Sequence, residues 1–314
     1  MLGVLGGGWL TRQFVVAARR MGYRVTVLDP DPDDGAGREA DVHLVAEFSD
    51  EDALGSLAST CALVTTCGAR ATGSALAALA ARVTVRPSAT AVATCADRTS
   101  LTSFLLDIGA PTVSEDLRAD TVERSLSMVV ARSADGSTAC YPVAEIQHDD
   151  GRTDVVFVPA SLGRGGQQAA ERLCTAVVDR LGVVGVATID MVQVGTRVLV
   201  ASIETFPGDR GLWSLDACQT DQFEQHVRAI CGLGLGDPHL TVPAAATAML
   251  RGAIWMAAVP RWDRVLRYDT AHLHLDASTA PTSDRELGHL TVTSGTPQVA
   301  TNLARRLRSN ALAR

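Results

Sequence analysis

Residues 3–33 read GVLGGGWLTRQFVVAARRMGYRVTVLDPDPD and are the part of the chain most informative about its fold. A short apolar strand, residues 2–5, runs into Gly6-Gly7-Gly8, and a helix-spaced apolar pattern then continues to Gly22. The buried-type strand YRVTVL follows and ends at Asp29, where a proline-interrupted acidic run begins. Strand, glycine turn, helix, strand and acid together predict a Rossmann-like half.

The alternation of strand and helix repeats as far as residue 110. Apolar strands are predicted at 42–48, 62–67 and 83–88, with helices between them, and 90–109 is predicted as one helix. Alternation of this kind favours a parallel sheet, here of about four strands.

After Pro111 the pattern changes to hairpins. Residues 126–162 contain two or three β runs separated by Asp-Gly turns, which are typical of antiparallel hairpins. A helix at 165–182, a second hairpin around Gly195, and an amphipathic helix at 215–232 follow. Short strands at 272–278 and 288–295 precede a final helix. We therefore divide the chain into domains at 1–110, 111–250 and 251–314.

Composition excludes several classes of function. The chain has 314 residues and a formal net charge of -7, so it has no general attraction for nucleic acid or anionic membranes. No run of about 18 apolar residues is present, and the N-terminus lacks the basic start of a signal peptide. Seven scattered cysteines without a CxxC pair indicate a reducing, cytoplasmic location.

The chain contains no lysine, because all 28 of its basic residues are arginine. A genome rich in G and C accounts for such a bias. The chemical consequence is the same in any case: no step can use a lysine amine as a Schiff base, a nucleophile or a phosphate-binding ammonium.

The glycine turn is the first candidate binding feature. Gly6, Gly7 and Gly8 lie between a strand and a helix, where the backbone can approach an anionic ligand. The alternative is a tight turn without a ligand. Thr11 stands where the third glycine of GxGxxG would fall, so dinucleotide binding is disfavoured even though Asp29 resembles a ribose-binding acid.

With these segments in view, the chain resembles the N5-carboxyaminoimidazole ribonucleotide synthase family, ATP-grasp enzymes that carboxylate aminoimidazole ribonucleotide with ATP and bicarbonate. The resemblance runs nearly end to end. It is carried by residues 3–33 and by four later segments: VRPSATAVATCADRTSLTSFLLDIGAP, MVVARSADGSTACYPVAEIQH, LWSLDACQTDQFEQHVRAICGLGLGD and HLHLDAS with DRELGHLTV. It implies a Rossmann-like pre-ATP-grasp domain, an ATP-grasp body, a small β-rich C-terminal domain, and a homodimer.

Two departures from the family concern ATP. The family carries a lid with a glycine-rich lysine loop and two ATP-binding lysines, whereas here Pro111 reaches Leu126 after a short bridge. The family also holds Mg²⁺ with a Glu on one strand and a Glu and Asn on the next. Asp190 matches the first position, but Ala201 and Ser202 stand at the paired ones, and Glu204 lies two residues further on. We therefore expect a truncated ATP-grasp body without its lid, and neither ATP nor Mg²⁺ as cofactor.

The ribonucleotide site also departs from the family. Trp9 replaces a Gln after the triple glycine, and the segment from Thr66 to Arg70 replaces an acidic-aromatic stretch. Arg285 is kept, whereas Ser278 and Glu286 stand where lysines are expected. Trp9 fits stacking on a base or sugar equally as well as filling space beside the turn.

Three further features carry less weight. His148 with Asp149 and Asp150 fits a hairpin turn better than a metal site, and His272 and His274 fit a strand face near a pocket better than a metal site. Cys67 lies at a strand end where parallel sheets place their chemistry, but no partner histidine is assignable.

The resulting hypothesis is an ATP-independent enzyme of lyase or decarboxylase type that acts on a nucleotide-like compound or a small carboxylate or amino compound. A non-catalytic protein that binds a ribonucleotide or a partner, and a residual carboxylase, are the alternatives. No metal ligand is assigned. The candidate catalytic residues are Asp190, Asp209, Arg210 and Cys67. The candidate substrate-binding residues are Gly6, Gly7, Gly8, Trp9, Leu10, Arg70, Glu145, Trp213, His274 and Arg285.

Overall fold

The structure is a computed structural model that describes residues 1–66, 73–114, 117–257, 259–276 and 282–311. Within these residues a parallel sheet forms the N-terminal part and a larger, antiparallel sheet forms the rest. None of the helices so described is long and apolar enough to cross a membrane.

The parallel sheet has five strands in the order β3-β2-β1-β4-β5, one more than predicted. Its core is formed by β1, β2 and β4, whose residues are all buried. The strands are β1 Leu2–Leu5, β2 Val25–Leu28, β3 Val42–Leu44, β4 Leu63–Thr66 and β5 Thr84–Val85. The surrounding helices are α1 Trp9–Arg20, α2 Gly35–Glu39, α3 Glu51–Thr60, α4 Gly73–Ala80, α5 Ala89–Ala96 and α6 Arg98–Asp107.

The single helix predicted at 90–109 is wrong, because it is split into α5 and α6 at Asp97. The Asp97 carboxylate accepts a hydrogen bond from the Ser100 backbone N–H at 2.8 Å and so begins a new helix. The predicted strand at 42–48 ends at Leu44.

The antiparallel sheet has nine strands. Its main path is β11-β10-β6-β8-β9-β12-β14-β13, and β7 pairs with β6. The strands are β6 Arg124–Arg132, β7 Thr138–Cys140, β8 Ala144–Asp149, β9 Arg152–Val158, β10 Gly185–Val194, β11 Arg197–Glu204, β12 Ala244–Arg251, β13 Ala271–Leu275 and β14 Glu286–Ser294. Since β12 pairs with β9, the C-terminal strands continue this sheet instead of forming a separate one.

The helices of this half are α7 Arg164–Leu181, α8 Ser214–Ala217, α9 Gln222–Cys231, α10 Ala253–Ala257, α11 Trp262–Val265 and α12 Pro297–Asn310. The amphipathic helix predicted at 215–232 is therefore two helices. The second one begins at Asp221, whose carboxylate caps it by accepting from the N–H groups of Phe223 and Glu224.

The two halves pack through a shared core. Val4, Phe14 and Val27 of the parallel part lie in the same buried cluster as Val129, Trp213 and Phe223. The second face of the antiparallel sheet packs on α5, α6 and α7. The sheet therefore presents one face, around β10 and β11, towards the segment that follows β11.

Candidate functional site

The glycine turn between β1 and α1 is engaged by carboxylates of the chain itself. The Gly7 N–H donates to Asp29 Oδ2 at 2.7 Å, and the Gly8 N–H donates to Asp34 Oδ1 at 2.6 Å. A Cβ added at Gly7 would lie 2.4 Å from the Asp34 carboxylate. The N–H groups of Gly7 and Gly8 are thus bonded to internal carboxylates and are not available to an external phosphate.

Asp29 does not fit the ribose-binding role that its position indicates. Its residue is fully buried, Oδ2 accepts from Gly7, and Oδ1 accepts from the Asp31 N–H at 2.9 Å. Both Asp29 oxygens therefore accept hydrogen bonds from the local backbone.

Trp9, the first residue of α1, lies between the two sheets. Its indole contacts the imidazole of His289 edge-on, with ring centroids 5.8 Å apart. Trp9 is half-buried and remains accessible to a ligand, whereas Leu10 packs against the apolar core.

The β10–β11 hairpin gathers acidic side chains on one face of the sheet. Asp190 pairs with Ser202 and Thr188 pairs with Glu204, so all four side chains point to the same face. The Ser202 hydroxyl donates to Asp190 Oδ2 at 3.3 Å. Glu204 therefore lies on the same face as Asp190. In the sequence, Glu204 is two residues beyond the position at which the family resemblance implies a carboxylate.

A short helical turn at Asp209–Gly211 brings a cation to these carboxylates. The Arg210 guanidinium lies with Nη1 2.5 Å from Asp209 Oδ2 and with Nε 3.6 Å from Asp190 Oδ2. The Arg210 carbonyl accepts from the Trp213 indole N–H at 2.8 Å, which fixes the turn. The predicted residues Asp190, Asp209 and Arg210 are therefore brought together, and we call them, with Glu204, the Arg210 cluster.

The environment of the Arg210 cluster raises the pKa values of two of its carboxyl groups. Burial, followed by the charges of Asp209 and Asp190, raises the pKa of Glu204 to about 7. Burial also raises the pKa of Asp190, and the nearby Arg210 charge opposes this effect. A carboxyl group that titrates near neutral pH can both donate and accept a proton.

A second group of polar side chains lies on the C-terminal strands. His274 Nε2 is 3.0 Å from Asp216 Oδ2, and His272 Nδ1 is 3.7 Å from Asp216 Oδ1. His289 pairs with His274 across β13 and β14, and their rings stack with centroids 4.4 Å apart. Sequence reasoning identified His272 and His274 but missed Asp216 and His289, which are distant in the chain.

Other predicted residues lie apart from these clusters. Glu145 pairs with Leu126, which packs against the α7 side, so its side chain lies on the sheet face opposite to Asp190. It contacts Arg124 Nε at 3.5 Å instead. Trp213 is 1% exposed and is a core residue that does not line a surface.

The remaining predicted site residues are Arg285, Cys67 and Arg70. Arg285 is exposed at the start of β14. Cys67 and Arg70, and likewise Ser278, lie outside the residues that the structure describes.

A cavity of about 660 Å³ lies elsewhere, between β7 and α7. It is an open groove whose charged lining residues, Glu171, Arg172 and Asp179, are all exposed, so the more deeply buried Arg210 cluster is the better candidate for chemistry. The residues that line the groove include Thr138, Cys140, Gln168, Glu171 and Arg172.

Comparison with known proteins agrees with this architecture. Residues 1–96 match the ribonucleotide synthetase preATP-grasp domain, and residues 108–223 match the ATP-grasp domain. The chain is 26% identical over 348 residues to N5-carboxyaminoimidazole ribonucleotide synthase of Bacillus subtilis (strain 168), which covers 93% of this chain and 90% of that protein.

Solved structures are similar to this chain over nearly its whole length. N5-carboxyaminoimidazole ribonucleotide synthetase from Thermus thermophilus superposes with a TM-score of 0.90 at 26% identity, covering 100% of this chain and 99% of that chain. The synthetase from Thermotoga maritima superposes with a TM-score of 0.88 at 26% identity, covering 98% and 97%.

Proposed function

Since the chain belongs to the N5-carboxyaminoimidazole ribonucleotide synthase family of ATP-grasp proteins, we propose that it is a divergent member that does not use Mg²⁺–ATP. We propose that it acts on a nucleotide-like compound or on a small carboxylate or amino compound. The observation that carries this proposal is the position of Arg210 between Asp190 and Asp209.

The Arg210 guanidinium takes the place of a metal ion in electrostatic terms. Mg²⁺ needs several oxygen ligands in near-octahedral geometry, and it would have to displace a cation that is attached to the chain. Asp190 has the uncharged Ser202 as its cross-strand partner, where the family resemblance implies a second carboxylate. Both features lower the affinity expected for Mg²⁺–nucleotide.

The absence of lysine supports the same proposal, because no ammonium group is available to hold a triphosphate. Between α6 and β6 the described residues form only one short helical turn, at 119–121. The alignment to the Bacillus subtilis protein extends over 348 residues, more than this 314-residue chain can supply. We infer that the shortening falls in this connection and that the lid is reduced.

Glu204 gives the Arg210 cluster a means of proton transfer. With a pKa of about 7, both of its protonation states are populated near neutral pH, which suits a general acid or base. Asp190 and Asp209 hold Arg210 in place beside it. In a decarboxylation the C–C bond to the substrate carboxylate breaks, CO₂ leaves, and the remaining carbanion takes the proton that Glu204 supplies, while Arg210 binds the anionic substrate.

A residual carboxylase is the second candidate, because the similarity to synthases extends over 93% of the chain. A non-catalytic ribonucleotide-binding protein is the third. Mg²⁺-dependent ATP hydrolysis by the purified chain, measured with and without aminoimidazole ribonucleotide and bicarbonate, distinguishes the carboxylase from the main proposal. We expect no stimulated hydrolysis; hydrolysis that both ligands stimulate would refute the main proposal and support the carboxylase.

The non-catalytic alternative needs a different measurement. Thermal shifts with AMP, aminoimidazole ribonucleotide and small carboxylates identify a ligand, and turnover of that ligand is then compared between the natural chain and Glu204→Gln. Turnover that Glu204→Gln abolishes supports the enzyme, whereas tight binding without turnover supports the binding protein.

The family resemblance also leads us to propose a cytoplasmic homodimer. Light scattering coupled to gel filtration tests the oligomeric state, and a monomer at micromolar concentration would contradict it.

A further inference from the structure

The side chains of Asp216, His274 and His289 converge from three separate elements. Asp216 lies on α8, His274 on β13 and His289 on β14, and one ligand atom from each lies within 4.8 Å of the others. His274 Nε2 is 3.0 Å and 3.1 Å from the two Asp216 oxygens. His272 lies on the same strand face, with Nδ1 3.7 Å from Asp216 Oδ1.

His289 is an independent indication that something is bound here. Its residue is fully buried, and neither ring nitrogen has a hydrogen-bond partner among the residues that the structure describes. Buried polar groups in native proteins almost always have a partner, so a group other than the described residues is expected to satisfy one of these nitrogens.

From these contacts we propose that Asp216, His274 and His289 bind a divalent transition-metal ion, with Zn²⁺ as the best match. Two imidazole nitrogens and one carboxylate are a typical donor set for Zn²⁺ with one open position. Mg²⁺ prefers oxygen ligands, so the proposed site differs in chemistry from the metal site of ATP-grasp enzymes. His272 or water can fill the fourth position.

The geometry requires a small rearrangement. The rings of His274 and His289 stack at 4.4 Å with planes 12° apart, so their nitrogen lone pairs do not yet converge. Zinc–nitrogen distances of about 2.0–2.1 Å place ligand atoms closer together than 4.8 Å, so the ion would draw the three side chains inwards. To direct one nitrogen towards Asp216, the His289 ring would have to rotate about its Cβ–Cγ bond, between the contacting rings of Trp9 and His274.

The proposed ion would join α8 to the C-terminal strands beside Trp9, whose indole contacts His289. The three proposed ligands and His272 are all distinct from the residues of the Arg210 cluster. Zn²⁺ binding at this site is therefore independent of the chemistry proposed for the Arg210 cluster, and its absence would leave that chemistry unaffected.

The test uses the full-length chain without an affinity tag, freed of metal with a chelator. Zn²⁺ binding is measured by calorimetry and by metal content after dialysis, and Co²⁺ is added as a spectroscopic probe. We expect one equivalent of Zn²⁺ and a visible Co²⁺ spectrum of nitrogen and oxygen ligation. Absence of stoichiometric binding, or a sulfur-to-cobalt charge-transfer band that indicates the cysteines, would overturn the proposal.

Variants locate the ion. His289→Gln and Asp216→Asn should weaken Zn²⁺ binding at least about tenfold. The matched control is His239→Gln, since His239 is an exposed histidine that also contacts a carboxylate, that of Asp237. Equal affinity in all variants, or equal loss in the control, would contradict the assignment.

Folding of each variant is checked by circular dichroism in the metal-free state. If His289→Gln does not fold, His274→Gln and Asp216→Asn carry the same test, because both side chains are partly exposed.

Discussion

The Thr65 hydroxyl lies 2.8 Å from Nε2 of His226, and both residues are fully buried. Thr65 lies on β4 of the parallel sheet and His226 lies on α9, so this bond joins the two halves of the molecule. His226 Nδ1 accepts from the Val186 N–H at 3.0 Å, which assigns the ring proton to Nε2 and makes Thr65 the acceptor.

Thr65→Val should destabilise the protein, because the buried Nε2–H of His226 loses its acceptor. We expect the free energy of unfolding to fall by about 1–3 kcal/mol, measured by urea denaturation. Thr60→Val is the control, since that hydroxyl is exposed on α3, and it should change stability by less than about 0.5 kcal/mol. Equal effects of the two variants would contradict this role of the bond.

His226 should make stability depend on pH in the acidic range. Burial lowers the pKa of His226 to about 3, whereas an unfolded histidine titrates near 6.5. Between these values the unfolded chain binds a proton that the folded chain does not, so this contribution to stability falls as the pH falls from about 6.5 towards 3. Denaturation curves of His226→Gln should show a shallower acid dependence, and an unchanged slope would refute the expectation.

Glu204 should make stability depend on pH in the opposite direction to His226. Its pKa of about 7 lies above the usual value of 4.5, so the folded state retains a proton that the unfolded state releases. Stability attributable to Glu204 is therefore full below about pH 4.5 and is lost as the pH rises to about 7. Relative to the natural chain, Glu204→Gln should gain on the order of 1–3 kcal/mol between pH 5 and pH 8. Glu47→Gln, at an exposed position, should show no such gain in thermal unfolding.

Arg210→Ser should remove the cation that offsets three clustered carboxylates. We expect a loss of about 3 kcal/mol in metal-free buffer, because the remaining partly buried charges repel one another. Added Mg²⁺ should then raise the melting temperature of Arg210→Ser and leave that of the natural chain unchanged. Arg118→Ser removes an exposed ion pair with Asp120 and should produce neither effect. A natural chain stabilised by Mg²⁺ as strongly as the variant would contradict the substitution of metal by arginine.

Asp34→Ala should destabilise the glycine turn, because the Asp34 carboxylate accepts from the N–H groups of Gly8, Ala36 and Gly37. Loss of this cap should lower the free energy of unfolding by about 1–2 kcal/mol in chemical denaturation. Asp33→Ala is the neighbouring control, since the Asp33 side chain is 80% exposed. A turn that tolerates Asp34→Ala as well as Asp33→Ala would show that these bonds are dispensable.

The amino-acid sequence alone determined the elements whose pattern is local. The apolar runs of β1, β2 and β4, the glycine turn and the hairpin of β10 and β11 were all predictable, because side-chain period and turn residues act over a few neighbours. The family was also predictable, because its segments occur in order along the chain. Strand β12 was missed, since its alanine-rich sequence has no strand-like alternation.

The contacts of the candidate residues became clear from the three-dimensional arrangement alone. Arg210 reaches Asp190 because the segment after β11 folds back onto the sheet face, and Asp34 reaches Gly8 across 26 residues. Asp216 meets His274 and His289 only because α8 packs beside β13 and β14. Contacts over such separations depend on loop paths and strand register, which the periodicity of a sequence does not encode.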